Sequence, residues 1–542
     1  MKKNPFLLFI LAFFTLSTYG QCSSWQWAKG ANGDWADEGM GCCTDPFGNV
    51  AITGIIGSSS ISFGTSTFPN AYTYGAYVVK YDSSGNILWA KSPVGPAYGY
   101  SVSSDAFGNT YATGSMGTTL TFDSYTLTSA TGGTYLAKYD NLGNVIWAKN
   151  STAGYAYAHS VSAGDSGYVY ISGYFTSSSI TFGSQTITSS GIQNTFLVKY
   201  DSAGNVIWAK SGGGNGTDVA LSVSADPSGD VTITGYFNSD TANFGGFILL
   251  NSNPGTKDVF VVKYDATGNV AWAKNFGGVG ADVGNSLSAD TDGNIIVTGY
   301  FSCPSLIFGA DTLLNASGYN MFVVKYNPQG NLIWARAPAA GSISQALGVD
   351  TDTIGNIYVA AFSMSNPVQF GSLSIANFNT GYDPMFFIKF APDGTPLCGN
   401  YLTSGGDDEI GIAVDNFGSI FITADYMEPT FFVGPSILNL TGLENVFVAK
   451  ISDAIPVNIE TVKKTDNLEI FPNPLYIGSK ILISRPLQDA VIVVSDNLGR
   501  EIQKNYFSGS DPNINAEIFK RGIYFLKIFS NEGIFIKKII IL

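Results

Sequence analysis

The chain has 542 residues, with 63 Gly, 29 Tyr and 37 Phe, 13% charged residues and a net charge of −14. That length allows two to four domains, and the acidity excludes a surface built to hold a phosphate backbone, so nucleic-acid binding is not expected. Aromatic and β-branched residues alternating with Gly-Asn and Asp-Gly turns point to an all-β protein.

At the N-terminus Lys2 and Lys3 precede the apolar run Phe6 to Phe14, and Thr18 and Gly20 hold the small-residue places of a cleavage site before Gln21. This is the layout of a secretory signal peptide over 1–20. The run is too short for a spanning helix, which takes about 20 residues. No later segment is long and apolar enough to cross a bilayer, so no integral membrane segment is expected after signal removal. A lipoprotein reading at Cys22 is weakened by Gln21, which stands where a small residue belongs. Residues 21–454 hold 14 basic and 32 acidic residues, whereas 455–542 hold 11 and 9, so the acidity belongs to the central segment.

That segment repeats. Trp-Ala-Lys or Trp-Ala-Arg recurs at Trp27, Trp89, Trp147, Trp208, Trp272 and Trp334, with Cys398 at the next position. Lys followed by an aromatic residue recurs at Lys80, Lys138, Lys199, Lys263, Lys325 and Lys389, with Lys450 as a degenerate seventh copy. Asp-x-x-Gly-Asn or a variant starts at Asp45, Asp105, Asp226, Asp352 and Asp415, with looser forms at Asp165 and Asp290. Each unit reads as four strands. In the fifth these are Asn285–Ser288, Asn294–Phe301, Met321–Tyr326 and Asn331–Arg336, with a loose stretch around Phe308-Gly309. Consecutive apolar residues such as Phe260-Val261-Val262 indicate sheets buried on both faces. Four-stranded sheets repeated radially are propeller blades. The seventh unit lacks a fourth strand after Lys450, while Trp27 sits in a fourth strand with no unit before it, so pairing of the two ends is expected to close seven blades.

The unit resembles the bacterial β-propeller repeat family with the pattern V-x-K-Y-D-x-x-G-N-x-x-W-A-K, here Val262-Lys263-Tyr264-Asp265 through Trp272-Ala273-Lys274. The resemblance covers roughly 27–452 and implies no catalytic residues. After a polar linker over 455–467, Pro472-Asn473-Pro474, Val494 to Arg500, Gly522-Ile523-Tyr524 and the terminal Lys537-Lys538 run occur in order. Residues 468–542 thus resemble the type A C-terminal sorting domain of the Bacteroidetes type IX secretion system. This implies a small β-sandwich, passage through the periplasm, the type IX machinery as partner, and a secreted or cell-surface destination.

Chemistry-bearing residues are few. His159 is the only histidine and, beside Ser160, is read first as structural and second as part of a Ser-His-Asp site. Asp290-Thr291-Asp292-Gly293 lacks the central Gly and distant Glu of a calcium loop and is read as a turn. Gly212 to Gly216 has no following Lys-Ser/Thr, so it is no phosphate loop. The five cysteines, Cys22, Cys42, Cys43, Cys303 and Cys398, fit no zinc spacing, and their disulfide pairing is not readable from the sequence. No metal, cofactor or catalytic residue is assigned. The expected function is a non-catalytic exported propeller binding glycan or protein, the alternative a polysaccharide-acting enzyme with carboxylates at the channel mouth.

Overall fold

The computed structural model describes residues 24–452, except 165–166, 310, 317, 377–383, 403–409 and 434. In the C-terminal part it describes residues 468, 470–471, 473, 480–484, 486–495, 501–512, 514, 519, 521–530 and 533–541. The expected signal peptide with Gly20 and Gln21, the linker 455–467, Pro472 and Pro474 lie outside the described residues. The chain divides into two compact units, Met1–Ile455 and Pro456–Leu542. Among the described residues every regular element is a strand.

In the fifth repeat Asp282–Ala289, Ile295–Phe301, Asn320–Tyr326 and Leu332–Arg336 form one antiparallel sheet in that order. The stretch expected to be loose is instead a two-stranded hairpin, Ser305–Phe308 with Asp311–Leu314. It forms because Leu306, Phe308 and Leu313 alternate onto the buried side and pack into the same core as Phe322 and Val324. The same order of four strands recurs in the sheets that begin with Asp37–Thr44, Ala97–Ser104, Ala156–Ala163, Asp218–Ala225 and Ser344–Thr351, the second of these continuing into Ser179–Phe182 and Gln185–Thr188. A further sheet runs Gly411–Val414, Ser419–Tyr426, Asn445–Ser452 and is completed by Ser24–Gly30, with Trp27 opposite Lys450. First strands pack against first strands from one sheet to the next, and Gly411–Val414 packs against Asp37–Thr44.

The repeated markers are the fastenings of these sheets. Lysines of third strands reach the aspartates of the preceding turns: Lys80 to Asp45 at 2.8 Å, Lys263 to Asp226 at 2.6 Å, Lys325 to Asp290 at 2.9 Å. Asp290 shows how fully each carboxylate is used. Its Oδ1 accepts from the Asp292 and Asn294 amides, and its Oδ2 accepts from Asn294 Nδ2 as well as from Lys325. An oxygen set spent on amides and an ammonium is a turn, not a calcium loop. The third repeat departs from the register expected at Asp165: the turn position is Gly164, whose amide pairs with the Tyr168 carbonyl. Lys199 there lies 4.1 Å from the Tyr168 ring instead.

The Trp of each fourth strand reaches the next sheet. Trp27 Nε1 donates to the Ser83 carbonyl, Trp147 to Ser202, Trp272 to Pro328 and Trp334 to Pro392. Each indole lies on the glycine of that turn. At Gly85, with φ of +82°, a Cβ would come 2.9 Å from the Trp27 ring. Trp27, although at the other end of the sequence, thus makes the same contact as the rest. Cys398 takes the corresponding place opposite Lys389. The sequence after Lys450 carries no glycine turn, so an indole at 398 would have no floor to lie on.

In the C-terminal unit the four-stranded sheet has the order Glu501–Gly509, Leu487–Ser495, Gly522–Ser530, Gly533–Ile541, beside a small pair Ile470–Phe471 and Leu482–Ile483. Ile492, Val494, Leu526, Ile528 and Ile539 fill its core. Asn473 fastens the last strand as a backbone amide would: its Nδ2 donates to the Lys538 carbonyl and its Oδ1 accepts from the Ile540 amide. Gly522 pairs with Ile541 and Tyr524 with Ile539, the Tyr524 ring lying against Phe519.

Candidate functional site

First strands carry a β-bulge at one fixed place, after Gly39, Gly99, Ala158, Ala220, Gly284 and Ala346. A glycine faces it on most second strands because there is no room for more. A Cβ at Gly173 would fall 1.8 Å from the Tyr157 carbonyl oxygen. Bulges re-aim side chains and occur beside functional sites. The bulged residues are Met40, Tyr100, His159, Leu221, Asn285 and Leu347.

Two adjacent repeats put rings at and near the bulge. Tyr74, Tyr98, Tyr100, His159, Tyr174 and Tyr157 form an unbroken series with centroid separations of 4.8, 6.0, 5.1, 5.5 and 5.0 Å. Tyr98 and Tyr100 are nearly parallel at 9°. Tyr174 has counterparts at the same register in Tyr236 and Tyr300, and Tyr300 meets Tyr319 at 5.8 Å. Beside the start of the series lies a cavity of about 550 Å³ walled by Tyr72, Tyr74, Tyr98, Tyr155 and Tyr157, with Met116 and Pro96. Ser115 and Thr73 also line it, and among the described residues no charged side chain does. That size and make-up are typical of ligand pockets. Burial, Tyr74, Tyr157 and the Glu38 carboxylate all push the Tyr98 phenol up, so it stays a neutral donor and acceptor.

His159 belongs to this ring series, between Tyr100 and Tyr174. Burial lowers its pKa to about 4, which keeps the imidazole neutral. The adjacent Ser160 hydroxyl accepts from the Val223 amide of the next sheet. The pair serves stacking and inter-sheet bonding rather than a catalytic triad.

Ser160 is one rung of a ladder that crosses the first strands. Ser101 and Ser103 accept from the Val161 and Ala163 amides, Ser160 and Ser162 from Val223 and Ala225, and Ser222 and Ser224 from Leu287 and Ala289. Ser286 accepts in turn from the Val349 amide, and Asp350 takes the serine place after Ser288, its Oδ2 accepting from the Val414 amide and its Oδ1 from Thr351 and Ser288. A second, smaller cavity of about 210 Å³ at the ends of these strands is bordered by Asp226, Asp290, Asp350 and Asp352. Carboxylates do gather there. Asp226 and Asp290 are paired with lysines, however, and Asp352 accepts from Asn356 and Tyr358. Asp350 is the exception in charge, as burial raises its pKa to about 6.

Among the cysteines Cys398 is disulfide-bonded and Cys42, Cys43 and Cys303 are thiols. Burial raises Cys43 to about 11 and Cys303 to about 12, so neither is a ready nucleophile. Trp27 and Lys450 pair across the two ends of the repeats, and Asn473, Gly522 and Tyr524 contact or pair with the terminal strand.

Residues 469–542 match the secretion system C-terminal sorting domain. This tail directs export by the type IX system, to the cell surface or the medium, and makes the secretion machinery a partner of the chain. An uncharacterized WD repeat-containing protein, L264, of Acanthamoeba polyphaga mimivirus is 27% identical over 433 residues, covering 65% of this chain and 31% of its own. The regulatory protein FlaEY of Caulobacter vibrioides is 31% identical over 110 residues, 20% of this chain and 12% of its own. The chain therefore spans less than a third of the length of either relative. Puromycin hydrolase, a solved structure, is 11% identical over 84% of this chain and 58% of its own, with a TM-score of 0.36.

Proposed function

We propose that residues 21–454 form a seven-bladed β-propeller closed by the N-terminal strand at Trp27 and Lys450, followed by a linker over 455–467 and a C-terminal β-sandwich over 468–542. The exported propeller acts as a non-catalytic binding protein. The observation that carries this reading is the tyrosine-walled cavity, whose lining holds no charged residue among those described. It is assembled where the second and third repeats depart from the pattern, with Tyr98, Tyr100, Tyr157 and His159 standing where the fourth repeat has Val219 and Leu221. Repeat residues hold the ring, and departures from the repeat make the site. Glycan and whole-cell binding screens of the mature chain test the reading. Binding that Tyr98→Ala and Tyr157→Ala abolish is expected, and a clean negative in both screens refutes it.

A polysaccharide-acting enzyme is the second reading, favoured only by Asp350, whose raised pKa beside Asp352 is a property of catalytic acids. Turnover of any polysaccharide that is lost in Asp350→Ser would establish it.

A further inference from the structure

The cavity has a chemistry that selects a ligand class. Its walls are tyrosine rings, which offer flat apolar faces with a hydroxyl at the rim. Tyr72, Tyr74 and Tyr155 are exposed at 44%, 39% and 56%, so these faces are open to solvent. Thr73 supplies a further hydroxyl, and among the described residues the lining has neither a base to meet an anion nor an acid to meet a cation. Glu38 is near enough to act on Tyr98, and the propeller as a whole is acidic, so a polyanion is disfavoured twice. Beyond the cavity the rings of Tyr100, His159 and Tyr174 are taken up by contact with one another, so the site is the cavity itself.

We infer that the tyrosine-lined cavity takes a pyranose unit of an uncharged polysaccharide. Sugar C–H faces meet the rings, and the phenol and Thr73 hydroxyls exchange hydrogen bonds with the sugar hydroxyls. This rests on the binding reading given above and narrows it.

The test uses the mature full chain with cellohexaose, mannohexaose, xylohexaose, hexagalacturonate and a hexa-arginine peptide as probes, read by titration calorimetry and by saturation transfer to the ligand. At least one neutral hexamer is expected to bind and hexagalacturonate not to. Tyr74→Ala combined with Tyr155→Ala, both in exposed loops, is expected to weaken the neutral hexamer about tenfold or more without moving the unfolding temperature. Equal or tighter binding of hexagalacturonate or hexa-arginine at the same tyrosines overturns the inference and leaves the binding reading standing. So does failure of all three neutral hexamers when the whole-cell screen is positive. Failure of every probe and of the screens overturns both.

Discussion

Trp27, in the strand Ser24–Gly30, lies opposite Lys450 in the strand Asn445–Ser452, and its indole donates across to the Ser83 carbonyl of the neighbouring sheet. One residue therefore joins the two ends of the repeat array and fastens the first sheet to the last. Removing residues 21–30 leaves Asn445–Ser452 with an unpaired edge and Gly85 without its indole. The deletion is expected to lower the unfolding temperature of the whole repeat unit. Trp27→Ala alone should cost roughly 2–4 kcal/mol, since the ring is only partly buried. Denaturant unfolding checks both, and an unchanged midpoint in the deletion contradicts the closure.

The buried lysines supply a comparison within one molecule. Lys263→Ala strands the Asp226 carboxylate, which is 2.6 Å from Lys263 Nζ and shielded from solvent. Breaking a buried pair from one side costs about 3–5 kcal/mol. Lys199→Ala occurs in the repeat with Gly164 at the aspartate position, where the ammonium faces the Tyr168 ring and the Ala266 carbonyl. Among the described residues it strands no paired carboxylate, so its cost is expected nearer 1–2 kcal/mol. Equilibrium unfolding of the two variants gives the difference directly.

The architecture was legible in the sequence because its fastenings are side chains: Lys263 with Asp226, Trp272 with the turn before Gly330, and Trp27 with Gly85 recur at fixed spacing and must be the residues they are. The hairpin Ser305–Phe308 was less legible, since its alternation is short and its turn varies between repeats. The site was hardly legible. Tyr98, Tyr157 and His159 are unremarkable residues in unremarkable strands until the bulges after Gly99 and Ala158 re-aim the chain and Tyr174 arrives from the adjacent strand. The available signal was departure from the repeat: Tyr-Gly-Tyr at 98–100 and Tyr-Ala-His at 157–159, against Val-Ala-Leu at 219–221.

Asp350 and Asp37 set an expected pH dependence. Burial is the first cause of the rise in both, to about 6 in each. A carboxyl with a folded-state pKa above its unfolded value binds its proton more tightly when folded. Its contribution is therefore greatest below the ordinary carboxylate value and is lost as pH rises through about 6. Stability measured from pH 4 to pH 7 should carry a downward component from these two groups. Asp350→Ser restores the residue found at Ser224 and Ser288, keeps an acceptor for the Val414 amide, and should flatten that component. An unaltered pH profile in this variant refutes the assignment.

The cysteines should separate chemically. Alkylation proceeds through the thiolate, and burial holds Cys43 at about 11, Cys303 at about 12 and Cys42 well above its ordinary value. Native protein treated with iodoacetamide at pH 7.5, a condition under which a free thiol near 8.5 reacts readily, should leave all three unmodified. Denaturation without reductant should expose those three, while Cys398 should require reduction because it is already in a disulfide. Mass spectrometry of peptides from the alkylated, non-reduced protein checks both expectations, and recovery of Cys398 as an alkylated thiol contradicts them.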